Sequence, residues 1–205
     1  MNKMKGCRPL SPEEIEKLKS HFLSSTNKNA IRDYTLIFLG IYIGFRISEL
    51  LSIKLKDIYD AKTDKVLDQV YLKKEFTKGK TEGRYIPVSD TCKELLLTYI
   101  RRYNLRDKLY ATQELCLFPS NRGLGDLPIT TRQGNNIFKR AFKECGFTGK
   151  LACHTTRKTF AQKCFNRLDR NIVDLQQCLG HKSINSTQSY ISFDNERVNN
   201  AILEL

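Results

Sequence analysis

The stretch "AIRDYTLIFLGIYIGFRISELL", residues 30–51, decides the fold. Its first half is apolar nearly all round, the pattern of a helix surrounded by other elements rather than one lying on a surface. The most apolar window, "TLIFLGIYIGF" at 35–45, is much shorter than the roughly 20 residues that span a bilayer. The reading is therefore a central helix of a water-facing domain. After Gly44, "RISELL" starts a second, short helix with Ile47, Leu50 and Leu51 turned inward, and this puts Arg46 at a helix N-terminus beside a glycine.

Upstream, "SPEEIEKLKSHFLSS" offers Ser11, Pro12 and Glu14 as a capping box with proline in the first turn. Ile15, Leu18, Phe22 and Leu23 then form one face of a helix over about 12–24. Downstream, "VLDQVYLKK" and "GRYIPVS" are β-prone and flank the polar connection "EFTKGKTE", which predicts one small hairpin. Helices follow in "SDTCKELLLTYIRRY", "TTRQGNNIFKRAFKECG", "TTRKTFAQKCFNRL" and "NIVDLQQCLG", with a long loop at 115–130 and weak helical spacing in the final "ERVNNAILEL". The fold class is α+β, mainly α with a small antiparallel sheet.

Composition narrows the partners. Thirty-five Lys and Arg against 22 Asp and Glu leave a formal charge of +13, an excess that must face water or a polyanion. Nucleic acid leads, with an anionic membrane surface behind it. Seven scattered cysteines without a CxxC pair argue against a disulfide framework or a zinc site and for reduced thiols in the cytosol. The N-terminus lacks the apolar run of a signal peptide. The tyrosines and phenylalanines show no periodic exposed array, which assigns them chiefly to the core.

Only three histidines exist. His21 sits on the exposed side of the first helix. His154 precedes Arg157 by three residues at a helix start, a spacing that lets both approach one anionic ligand. His181 follows Gly180 in "LGHKSINSTQSY", which Tyr190 closes. No HExxH, carboxylate cluster or P-loop is present, so neither a metal nor ATP is expected.

The order of these pieces is more specific than any one of them. "GFRISELL" at 44–51, a lysine in "FTKGKTEGRYIPV", "HTTRKTFA" at 154–161 and "LGHKSINSTQSY" at 179–190 together resemble the catalytic domain of the tyrosine recombinase (phage integrase) family. That family runs through a GxR-x-SEL helix, a hairpin lysine before an R-x-x-P strand, an HxxR helix, an LGH turn and a nucleophilic tyrosine nine residues on. The resemblance implies a site-specific DNA recombinase that cleaves and rejoins DNA through a 3′-phosphotyrosyl link. It assigns Tyr190 as nucleophile, Arg46 and Arg157 as bidentate partners of the non-bridging phosphate oxygens, His154 as acid/base near the tyrosine, and His181 as a donor to a non-bridging oxygen. Glu49 would orient Arg46. Lys78 is the first choice to protonate the expelled 5′ oxygen, and Lys80 is the alternative.

Physical chemistry asks for such a set independently. A tyrosine with a reference pKa of about 10 forms its anion at pH 7 at a cost of roughly 4 kcal/mol unless a base or positive charge helps. Guanidinium groups meet the charge that develops on phosphate oxygens in the transition state.

Arg132, Lys139, Arg140, Lys143 and Lys158 are further candidates to track DNA phosphates. Residues 1–10 read as a tail and 11–205 as the catalytic domain, without the separate N-terminal DNA-clamping domain of most family members. The expected partners are double-stranded DNA and copies of the same chain, in a tetramer on DNA formed through the C-terminal tail and possible as a monomer off it. No membrane and no cofactor are expected, and the compartment is the cytoplasm, with the nucleoid. Two rivals stay open: an inactive DNA-binding regulator, and DNA relaxation of the type IB topoisomerase kind without recombination. If about six phosphates are contacted, DNA affinity should fall by roughly 10³ between 50 and 200 mM salt; a flat response in a fluorescence anisotropy titration would remove the electrostatic reading.

Overall fold

Ser11 opens the fold of the computed structural model as the sequence predicts. Its hydroxyl accepts from the Glu14 backbone at 3.2 Å, Glu14 Oε2 accepts from the Ser11 backbone at 3.0 Å, and α1 runs over Pro12–Leu23. The structure describes residues 6–76, 83–112, 114–122, 124–191 and 202–204. Leu18 and Phe22 carry the buried face of α1; Leu23, expected on it, is 65% exposed.

Helix α2 (Ala30–Ile43) is the axis of the domain, buried almost without interruption from Asp33 to Ile41. Helices α3 (Ile47–Ser52), α4 (Asp90–Arg102) and α7 (Cys153–Arg167) pack on it together with α1. Helix α6 (Thr131–Glu144) packs on α3 and α7. The one carboxylate buried in α2, on Asp33, takes Arg32 at 2.8 Å and Arg140 from α6 at 2.5 Å. Arg140, expected on a DNA phosphate, therefore already neutralises a buried charge that would otherwise be costly.

Among the described residues there are two short sheets where the sequence suggested one. Strands β1 (Tyr59–Asp60) and β2 (Lys65–Val66) form the first, and β3 (Gln69–Leu72) and β4 (Arg84–Pro87) pair antiparallel with Leu72 opposite Arg84. The β-prone run splits because Leu67 and Asp68 interrupt it between β2 and β3. Lys78 and Lys80 lie outside the described residues, as does nearly all of "ERVNNAILEL". Helix α5 (Leu105–Ala111) and the five-residue α9 (Ile184–Gln188) have too few apolar positions to show a period, and neither was expected. The aromatic assignment fails at Tyr71, Tyr85, Tyr110 and Phe76, which are exposed; Tyr71 and Tyr85 pair across β3 and β4 with centroids 4.8 Å apart. His21 is half-buried and bonded to Glu144 at 3.1 Å. Among the described residues, no helix is long and apolar enough to cross a membrane.

Helix α8 (Ile172–Leu179) and the chain after α9 close a second, smaller apolar cluster of Ala161, Phe165, Leu175, Leu179 and Ile191. Between this cluster and the main core runs the buried polar stretch of α7, Thr155 to Thr159. Its hydroxyls are satisfied inside the helix, Thr156 Oγ1 donating to Cys153 O at 3.0 Å and Thr159 Oγ1 to Thr155 O at 2.9 Å.

Gly44 ends α2 at φ +66°, and a Cβ there would fall 2.2 Å from Phe160. Gly44→Ala should cost at least about 2 kcal/mol, from the left-handed backbone and from overpacking together. A urea unfolding midpoint indistinguishable from that of the unaltered chain would refute the tight seat of α2 against α7.

Candidate active site

Arg46 is the N-cap of α3, and Glu49 stands one turn further on. The Glu49 carboxylate accepts from the Arg46 backbone at 2.7 Å through Oε2 and from Arg46 Nη1 at 2.6 Å through Oε1. One buried carboxylate thus fixes both the helix start and the guanidinium. The same Oε2 lies 3.8 Å from Arg157 Nη1, so Glu49 sits between two arginines.

Arg157 is 1% exposed. Its Nη1 donates to Gly44 O, and its Nη2 donates to Leu179 O at 2.7 Å and meets His181 Nε2 at 3.1 Å. Its Nε has no acceptor among the described residues. Burial pulls this guanidinium down to about 10, with Arg46 pushing the same way and Glu49 opposing. The drop corresponds to a destabilisation of about 3 kcal/mol that is in force at every pH below about 10 and fades only as pH rises above it.

His181 follows α8 directly, after Gly180 in the left-handed conformation. A guanidinium has donors only, so Nε2 is the acceptor from Arg157 and the ring proton sits on Nδ1, facing Thr187 Oγ1 at 3.1 Å. To donate from Nε2, His181 must release Arg157 and carry its proton on Nε2, with Nδ1 then accepting from the Thr187 hydroxyl. The main-chain oxygen of His181 is held by Gln176 Nε2 at 2.9 Å.

Tyr190 is seated from its C-terminal side. Ile191, 3% exposed, plugs the small apolar cluster, and the Tyr190 ring packs at its edge. The ring centroid is 5.0 Å from that of His181, 5.6 Å from Arg157 Cζ and 5.8 Å from Lys158 Nζ. Two cations therefore face one phenol ring. Lys158, expected as an exposed phosphate contact, is only 5% exposed, and burial lowers its pKa.

The structure thus gathers Arg46, Glu49, Arg157, His181 and Tyr190 from four separate parts of the chain. His154 is exposed on the first turn of α7, with Nδ1 3.4 Å from Cys153 Sγ. Arg132, Lys139 and Lys143 are exposed along α6. Sequence reading missed Thr187, whose Oγ1 holds His181 Nδ1 at 3.1 Å; a threonine in a polar run carries no signal of that role.

A family model, the phage integrase family, matches residues 8–197. The chain belongs to that family. Within it, the chain is 31% identical over 186 residues to the probable integrase/recombinase YoeC of Bacillus subtilis (strain 168), covering 91% of this chain and 89% of YoeC. It is 26% identical to the tyrosine recombinase XerH of Campylobacter jejuni over 92% of this chain, and spans about half (49%) of that relative's length. The fold is similar to that in a crystal structure of the XerH site-specific recombinase bound to palindromic difH substrate, a post-cleavage complex. The TM-score there is 0.73 at 23% identity, with 95% of this chain and 51% of that one covered. The phage integrase fold is thus shared over nearly the whole chain.

Arg46, Arg157 and the neighbouring Lys158 outnumber the single buried carboxylate of Glu49, so the site favours an oxyanion. Millimolar orthovanadate should raise the melting temperature of the protein and should leave that of Arg46→Met unchanged. Equal shifts in both, read by differential scanning fluorimetry, would place the anion elsewhere.

Proposed function

We propose that the chain is the catalytic part of a site-specific DNA recombinase and that Tyr190 is its nucleophile. One observation carries this reading: the Tyr190 ring lies against the same Arg157 and His181 groups that suit a phosphate's non-bridging oxygens. In cleavage, Tyr190 Oη bonds to phosphorus and loses its proton, with His154 as the acid/base. The bond from phosphorus to the 5′ oxygen breaks, and that oxygen takes a proton from Lys78, with Lys80 as the alternative donor. The 3′-phosphotyrosyl link conserves the bond energy, so a 5′-hydroxyl attacking it rejoins the strand without ATP.

Double-stranded DNA is the substrate in this reading. Arg46 and Arg157 supply bidentate donors to the charge that grows in the transition state, and His181 joins them as a hydrogen-bond donor to a non-bridging oxygen. Exposed Arg132, Lys139 and Lys143 on α6 suit phosphate tracking. Exchange of both strands between two duplexes takes four nucleophiles, so the assembly on DNA is a homotetramer.

A nicked suicide DNA drawn from the ends of the host element should trap a covalent protein–DNA adduct on a denaturing gel. Tyr190→Phe should abolish the adduct while changing the DNA dissociation constant less than about threefold, because only the attacking oxygen is lost. An adduct retained by Tyr190→Phe would sink the assignment of the nucleophile.

A further inference from the structure

Two chain segments carry the anion-binding groups: 44–46, which bears Arg46, and 178–181, which bears His181. Arg157 ties them from one side through Gly44 O and Leu179 O. Arg84, on β4, makes a second tie one residue along on each segment. Its Nη1 donates to Cys178 O at 2.8 Å, and its Cζ lies 5.7 Å from the centroid of the Phe45 ring. Gly180 makes room for it: at φ +61°, a Cβ on Gly180 would stand 2.8 Å from Arg84 Nη1 and 3.0 Å from its Cζ. The guanidinium is largely taken out of water, and burial lowers its pKa, with Arg46 acting in the same direction and Glu49 against it.

A desolvated arginine already spent on a carbonyl and an aromatic face is a poor phosphate tracker and a good spacer. We propose that Arg84 is a positioning residue for strand cleavage: by bridging Phe45 and Cys178 it fixes the separation of Arg46 from His181 without touching the phosphate itself. This rests on the recombinase reading. The stretch "GRYIPV" makes this arginine the first residue of the R-x-x-P strand; pairing with β3 uses only its main chain, so the hairpin itself does not require the guanidinium. Misplacing a reacting group by about 1 Å can cost on the order of 10²-fold in rate, which sets the size of effect to expect.

The test is single-turnover cleavage at saturating nicked DNA, with the dissociation constant measured alongside, for Arg84→Met, Arg84→Lys, His181→Ala and the double variant Arg84→Met with His181→Ala. All are assayed at a temperature where circular dichroism shows them folded. Arg84→Met should slow cleavage by on the order of 10²-fold with the dissociation constant within about threefold. Arg84→Lys should recover part of the rate, because an ammonium can keep the Cys178 carbonyl but not cover Phe45 as a plane does. The double variant should lose much less than the product of the two single losses, since both act through the same imidazole. A cleavage rate unchanged at saturation with a tenfold weaker dissociation constant would make Arg84 a DNA contact and overturn the proposal. So would multiplicative losses, the mark of a merely structural role. If the unaltered chain forms no adduct, the recombinase reading falls and this inference with it; if it cleaves and Arg84→Met cleaves equally well, the inference falls alone.

Discussion

The rest of the structure depends on one buried guanidinium. Arg157 is shut away from water, which works against its charge, and it stays there because Gly44 O, Leu179 O and the Glu49 carboxylate surround it. Leu179 O and the carbonyl of Gly44 both lie at ends of helices, where main-chain oxygens lack partners within their own helix. The group that suits a substrate phosphate therefore also joins the end of α2 to the end of α8. Fold and site cannot be taken apart at this point, and the Nε of Arg157 has no acceptor among the described residues.

Placement of the tyrosine follows a different logic. The main core never reaches Tyr190; it is held by the small cluster of α7, α8 and Ile191. Such a unit has few buried contacts of its own and opens at a lower free energy than the axis around α2. Arg46 and Glu49 thus sit on α3, packed on the central helix, whereas His181, directly after α8, and Tyr190 both sit with the smaller cluster, the part that yields more easily.

Most of this was legible in the sequence. The all-round apolar pattern of 30–43 gave the central helix because burial on every side leaves no polar stripe, and Gly44 before Arg46 gave the chain reversal that sets the arginine at a helix start. Glu49 was readable as the partner of Arg46 from the resemblance, with the i+3 spacing in its support. What stayed hidden has physical causes. "TTRKT" looks like a solvated basic face, yet it is buried, because Thr156 and Thr159 return their hydroxyls to their own helix, Thr155 accepts from the Ala152 backbone, and Arg157 faces Glu49, far away in sequence. The partners of Lys158 and Arg140, the Tyr190 ring and Asp33, lie 32 and 107 residues away and leave no local trace in the sequence. The split of the β-prone run into two sheets and the short α9 depend on tertiary contacts that no local period records.

The central claim is that these groups converge on one phosphate and that Tyr190 attacks it. Mass spectrometry of the trapped DNA adduct after nuclease and trypsin digestion tests it most directly, because the tryptic peptide 183–197 contains Tyr190 as its one tyrosine. The account predicts a nucleotide mass on that peptide, localised to Tyr190 by fragmentation. A nucleotide on any other peptide, or cleaved DNA with no residue modified, would contradict it.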